Sequence, residues 1–423
     1  MRGWWSQYNG RQRWLVLVVV CLLAGLAAHN WILVEFQVWR AQAAGQRSDF
    51  RSTVTLLLAA ERRAPDRAEI SFSLARAYRR LGDADGVTRY LKRAADLKMD
   101  IQRLQREETL MLLQVGHLKM ESREVSALLA NPADDGLEIY NAIVLGSMVS
   151  YQTDMALVVL ESWIGDEPRD AQPHYLKGMI YENDGQWGKA ELSFRSALEF
   201  SSHRRDARLH LAHVLREQHR YSEAILHYQH CLEVAVDSDG LAGLGRCYLT
   251  RREPQAARTV FSRLLDIEPN HYDGLLSMGQ LELTVGRWSD AVDWLSRAVA
   301  VRPQEFDAQF DYAKALLYSG DLEGSREHFQ KSTVIQDVSR RVRALMGQVR
   351  HNPDDPRLRH EIGSTLLENG QSENALWWLR GVLRIDPGYP PTHRRLAAHY
   401  EVLGEADLAA RHREMSRGTA TDF

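Results

Sequence analysis

Residues Tyr272–Glu305 read YDGLLSMGQLELTVGRWSDAVDWLSRAVAVRPQE, a pattern of two helices joined by a tight turn. Leu275, Met278, Gly279 and Glu282 recur at the 3.6-residue period of one helix face. Gly286 breaks that helix, and Arg287-Trp288-Ser289-Asp290 turns and restarts the chain. Ala291, Leu295 and Ala298 form the inner face of the second helix, which Pro303 ends. Gly279 and Ala291 are small where two antiparallel helices must come close. A single hairpin of this kind cannot bury its own apolar faces and needs neighbours on both sides.

Used as a ruler, the stretch repeats along most of the chain. Units open near Val34, Ala68, Arg103, Leu137, Ala171, Arg205, Ser238, Tyr272, Phe306, Pro356 and Pro390, at 33 to 35 residue spacing with one interruption. Position 20 of the unit, where the helices touch, holds Thr53, Val87, Ser122, Ala156, Ala190, Ala224, Ala257, Ala291, Ser325, Ala375 and Ala409. All are small or β-branched. Position 8 is Gly or Ala in most units, and Leu110 and Val144 depart from it. Prolines close several units (Pro65, Pro168, Pro269, Pro303, Pro387), and aromatic residues fill the turn at Trp187, Tyr221 and Trp288.

These residues resemble the tetratricopeptide repeat, a 34-residue helix-turn-helix with small residues at positions 8 and 20 and a terminal proline. The resemblance covers about residues 34–416 and is sharpest over 171–336 and 356–416. The units at Val34 and Arg103 rest mainly on spacing. It implies an all-α, right-handed solenoid of about eleven hairpins following one transmembrane helix. The expected divisions are a short segment (1–13), a membrane anchor (14–34), a repeat array (35–337), an extra helix interrupting it (338–355), a final pair of repeats (356–416) and a tail (417–423).

In proteins of this family the first helices line a concave groove that holds a partner, with positions 2, 5, 9, 12 and 13 facing it. Carried onto this chain, those positions are Tyr175, Met179, Glu182 and Asn183, then Leu209, His213, Arg216 and Glu217, then Arg246, Gln280 and Leu283, and finally Phe310, Lys314, Leu317 and Tyr318. Aromatic, Met, Arg and amide side chains suit a protein-binding surface. Replacing Tyr175, Arg246 and Tyr318 together is expected to abolish capture at little cost in stability. The Lys/Asn/Arg clamp of chaperone-binding repeats is missing from these positions.

The interruption, VSRRVRALMGQVRHNPDD after Asp337, resembles half a repeat. Its Arg340, Arg341, Arg343 and Arg350 suggest either a patch for an acidic partner or, more simply, a solvated helix. At the other end, Arg2, Arg11 and Arg13 precede Trp14–Val34, 21 residues without a formal charge. At about 1.5 Å per residue that length matches a ~30 Å hydrocarbon core. Gly25-Leu26-Ala27 resembles a signal cleavage site, but apolar sequence resumes at Trp31-Ile32-Leu33-Val34, which favours a retained anchor. Flanking arginines nearly tie, and the acid-free N-terminus favours an inside N-terminus with the repeats outside the cytoplasm. On this reading the anchor runs into the first repeat helix without a linker and breaks near Gly45.

Composition points away from chemistry. The 423 residues are 44% apolar and 26% charged with net charge −3, which suits a folded chain and not a nucleic-acid binder. Three cysteines, Cys21, Cys231 and Cys247, exclude a disulfide scaffold or a four-cysteine zinc knuckle, although Cys231 and Cys247 lie where they can meet. No phosphate loop, nucleophile elbow or H-E-x-x-H motif occurs. Gly240, Gly243 and Gly245 lack a preceding strand and fit repeat packing. His210 with His213 and His227 with His230 form two i,i+3 pairs, and the register turns the pairs away from each other, so no metal or cofactor is expected. The longest non-repeat stretch after the anchor leaves no room for a catalytic domain.

The sequence therefore suggests a non-enzymatic scaffold, held to a bilayer through residues 14–34, that gathers proteins or peptides rather than nucleic acid or small substrates. Similar layouts occur in bacterial envelope assembly, biogenesis and secretion. Two alternatives stay open: a soluble secreted binder released by signal cleavage, and a regulatory subunit of a membrane-associated enzyme complex.

Overall fold

The structure, a computed structural model, describes residues 29–47, 49–118, 122–132 and 135–417. Regular structure among the described residues is entirely α-helical and runs as eleven successive helix pairs. The first pairs are α1 (29–46) with α2 (Phe50–Arg63), α3 (Ala68–Leu81) with α4 (Ala84–Asp96), α5 (Ile101–Gln114) with α6 (Arg123–Ala130), and α7 (Gly136–Val149) with α8 (Thr153–Asp166). The middle pairs are α9 (Ala171–Asn183) with α10 (Trp187–Phe200), α11 (Arg205–Glu217) with α12 (Tyr221–Val234), and α13 (Ser238–Thr250) with α14 (Pro254–Ile267). The last are α15 (Tyr272–Thr284) with α16 (Trp288–Val301), α17 (Phe306–Ser319) with α18 (Leu322–His351), α19 (Pro356–Glu368) with α20 (Ser372–Ile385), and α21 (Pro390–Val402) with α22 (Ala406–Ser416). Two compact units divide the chain after Gly146.

Close approach at two positions explains why each pair forms. Ala156, Ala190, Ala224, Ala257, Ala291, Ala375 and Ala409 at position 20 are all fully buried. Opposite them, a Cβ added to Gly279 would lie 2.3 Å from Leu295 Cγ, so only glycine lets α15 and α16 meet there. The same clash recurs between Gly245 and Phe261 and between Gly178 and Phe194. Gly243 is likewise packed, against Tyr228, which accounts for the glycines of α13. Leu275, Met278, Leu281, Ala291, Leu295 and Ala298 then join Phe261, Leu264 and Ala308 in one buried cluster across three repeats. Glu282, the one acid on that inner face, is fully buried and clamped by Arg258 and Arg287.

In the first unit, Val34 and Ala41 of α1 pack with Leu57, Ile70 and Leu74. The opposite side of α1 exposes Trp31, Ile32, Phe36 and Trp39. Helix runs unbroken through 29–46, as expected for a first repeat helix ending near Gly45. Residues 14–28 of the expected anchor lie outside the described residues. Among the described residues no helix is long and apolar enough to cross a membrane.

The expected extra helix over 338–355 is not a separate element. Residues 338–351 are the C-terminal half of α18, a single helix of 30 residues. The sequence KSTVIQDVSRRVRAL holds neither glycine nor proline, so nothing stops the helix after the usual second-helix length. Of the two readings of its arginines, a patch for an acidic partner or a solvated helix, the pairing favours the second: Arg340 meets Asp337, Arg341 meets Glu361 and Arg350 meets Asp184.

Candidate functional site: the first-helix groove

The residues expected to face the groove all sit on first helices of the second unit, from α9 to α17. They are not equally free. Tyr175 is half-buried: the Arg204 guanidinium lies 4.2 Å from its ring centroid, Phe194 packs beside it, and burial pushes its hydroxyl pKa up. Tyr175 is thus partly a packing residue, and the expected triple replacement with Arg246 and Tyr318 would disturb the fold. Met179 is half-buried against the same cluster, and Asn183 is exposed at the helix end.

Glu182 is the best-connected polar group at this end of the groove. His210 Nδ1 lies 2.7 Å from its Oε2, and His213 Nδ1 lies 2.5 Å from its Oε1. A carboxylate only accepts, so both Nδ1 atoms carry the proton and donate. Burial raises the Glu182 pKa, and the two histidine hydrogen bonds outweigh it and carry the group down to about 2. The His210 ring stacks on Phe194 at 5.4 Å and His213 meets Trp187 edge-on at 6.3 Å. His230 of the second pair instead faces Glu233 at 3.8 Å, away from Glu182. Arg216 pairs with the adjacent Glu217 at 2.7 Å.

Farther along, each first helix is tied to the next by one polar contact. Arg246 of α13 pairs with Asp273 of α15. Gln280 of α15 donates to Asp311 of α17 at 2.8 Å, and Lys314 reaches the other oxygen of Asp311 at 3.2 Å. Phe310 is exposed and stacks on Phe306 at 5.4 Å, while exposed Tyr318 lies 4.7 Å from Trp288. Phe310, Lys314, Leu317 and Tyr318 thus present the most accessible apolar and cationic surface of the expected set. Cys231 and Cys247 are free and buried, and burial pushes the Cys247 thiol up to about 11.

The sequence reading stopped at Tyr318, and the structure carries the surface farther. A cavity of about 460 Å³ is lined by His360, Ser364, Glu368, Pro391, Arg394, Arg395 and Ala398. Counting from Pro356 and Pro390, six of these seven occupy positions 2, 5, 9 or 13, so extending the same register would have found them. Arg395 pairs with Glu368 at 2.9 Å, whereas Arg394 is exposed and forms no ion pair among the described residues. Burial, then Arg395 and Arg394, push the His360 pKa down.

The same register positions in the first unit are filled differently. Arg79 is fully buried and donates to Glu107 and Glu138, both at 2.5 Å, and to Gln114 at 3.2 Å. Arg76 and Arg106 meet Asp135 at 2.7 and 2.8 Å. That face satisfies its own charges. Among the described residues no group of three or more His, Cys, Asp or Glu side chains is arranged to hold a metal ion.

A family model for the tetratricopeptide repeat matches residues 40–98, 209–272 and 276–337, so the chain carries tetratricopeptide repeats over those residues. Over 156 residues it is 28% identical to the type IV pilus assembly protein PilF of Pseudomonas aeruginosa, covering 35% of this chain. The chain spans 60% of the length of that relative. Among solved structures, PilW, a type IV pilus biogenesis factor, aligns with TM-score 0.43 and 16% identity, over 46% of this chain and 91% of PilW. YrrB, a tetratricopeptide protein with an unusual peptide-binding site, aligns with TM-score 0.34 and 19% identity, over 42% of this chain and 92% of YrrB.

Proposed function

We propose that the protein is a non-enzymatic scaffold, anchored in a membrane through residues 14–34, whose second-unit groove captures an extended segment of a partner protein. The observation that carries this reading is the run of groove-register side chains from Met179 to Tyr318, continued by the cavity of α19 and α21. A peptide laid along first helices meets aromatic anchors at Phe310 and Tyr318 and cations at Lys314 and Arg394. Such a surface suits a segment with apolar and acidic side chains. The anchor adds effective concentration at the membrane, with the repeats outside the cytoplasm. The uncharged run Trp14–Val34 and the exposed Trp31, Phe36 and Trp39 of α1 support that placement. Likeness to a pilus assembly protein supports a role in assembling the bacterial envelope.

The test is Phe310→Ala with Tyr318→Ala and Lys314→Glu, compared with the unaltered chain in cross-linking from native membranes. Cross-linked partners should disappear while stability falls by less than about 1 kcal/mol, as for exposed positions. Partners retained in full, or lost only together with the fold, would overturn the reading.

A further inference from the structure

A hydrogen bond between residues 209 apart shows that the second unit does more than stack pair on pair. Arg359 Nη2 donates to Ser150 O, beyond the end of α7, and to Pro353 O, both at 3.0 Å. The neighbouring Tyr151 ring stacks on Trp378 of α20 at 5.3 Å and 22°. The Arg359 guanidinium sits 5.6 Å from the Tyr151 ring and 5.9 Å from Trp378. Arg350, near the end of α18, meets Asp184 in the turn after α9 at 3.2 Å. The start of the unit thereby touches its C-terminal third.

Three features show that this contact is built and not incidental. Tyr151 has φ 61°, at the turn position where Gly185, Gly286, Gly320 and Gly370, and also His219 and Arg252, are left-handed, and of the three non-glycine residues it is the one whose ring stacks on a tryptophan far along the chain. A bulky side chain there is strained unless its contacts hold it. Arg359 is buried yet forms no ion pair among the described residues, so carbonyls and aromatic faces satisfy it instead. Finally, the apolar stripe of the extended half of α18, including Leu345 and Val349, packs in the same cluster as Tyr151. The segment that breaks the repeat spacing is the segment that makes the closure.

We propose that this contact is a latch: Tyr151, clasped by Arg359 and Trp378, holds the second unit closed and limits its concave face to slender occupants, and release admits bulkier ones. The proposal rests on the groove being the binding surface, and its test uses no partner, so the two can fail separately. In the full chain with Cys21, Cys231 and Cys247 changed to alanine, Ser150→Cys with Pro353→Cys should form a disulfide under mild oxidation. Ser150→Cys with Arg417→Cys should not. If the first pair links no faster than the second, the closure is wrong. In the same background Lys314→Cys reports access to the groove through its rates of labelling by a small maleimide and by a polymer-bound one. Tyr151→Gly relieves the turn and removes the clasp, and should speed the polymer reagent by roughly ten-fold, as a shift from mostly closed to mostly open requires. The small reagent should stay within about two-fold. Arg359→Gln should act in the same direction. Equal changes for both reagents, or none for either, would overturn the latch.

Discussion

Glu138 in the first unit and Glu182 in the second are largely buried carboxylates at groove positions of first helices, and both are held at about 2. Burial would raise either one. Arg80 and Arg79 reverse that for Glu138, whereas hydrogen bonds from His210 and His213 do so for Glu182. Guanidinium partners keep their charge at every pH a protein survives, whereas the two histidine rings hold Glu182 through Nδ1–H hydrogen bonds. The first unit thus spends its groove register on a permanent ion network around Arg79. The second leaves the register partly open. One set of repeat positions serves architecture in one unit and accessible surface in the other.

Breaking the permanent network should give the largest effect. Glu107→Ala breaks one of the two ion pairs of the fully buried Arg79, leaving Glu138 and Gln114, and should destabilise the first unit by about 3 kcal/mol, seen as an earlier transition in urea. Arg79→Met combined with Glu107→Leu should be milder, because the buried cation goes with its partner and Glu138 keeps Arg80. If the single and double variants are equally damaging, the network is not what holds that face together.

The titratable side of the comparison is tested next. Glu182→Gln should cost the second unit about 1–3 kcal/mol near pH 6, through two weakened hydrogen bonds to a charged group. Both carboxylates have folded values depressed from 4.5 to about 2. Their stabilisation is therefore complete above about 4.5 and is lost as pH falls towards 2. Denaturation followed between those limits should lose part of its acid sensitivity in the second unit with Glu182→Gln, and in the first unit with Glu138→Gln. Crossed effects would mean that each carboxylate does not govern its own unit.

Most helix boundaries were legible because the pattern is local. The first helices α9, α11, α13, α15, α17, α19 and α21 begin at Ala171, Arg205, Ser238, Tyr272, Phe306, Pro356 and Pro390, where the ruler places its units. In the degenerate stretch the match slips to Ile101 and Gly136, against Arg103 and Leu137. What the ruler could not supply depends on partners far along the chain. The continuity of α18 has no stop signal to read, and the packing of its second half depends on Tyr151. The positions expected to line a groove could be placed on first helices from the sequence, but how free each side chain is could not. Arg246 pairs 27 residues away with Asp273, and Gln280 bonds 31 residues away with Asp311. Opposite charges about one repeat apart were the unused signal, and it also marks Arg79 with Glu107 at 28.

The smallest expected effect checks the outer side of α18. Arg340 is 74% exposed and meets only Asp337, itself 64% exposed, one turn away. Pairs of this kind contribute little, so Arg340→Ala should change stability by no more than about 0.5 kcal/mol in a denaturant titration. The helix is amphipathic by construction: Leu345 and Val349 face the Tyr151 cluster, and Arg340 and Arg343 face water. A loss above about 1 kcal/mol would mean that the solvent-facing side also packs against something, since isolated exposed pairs do not reach that value. The reading of this helix as a closing element with one working face would then fail.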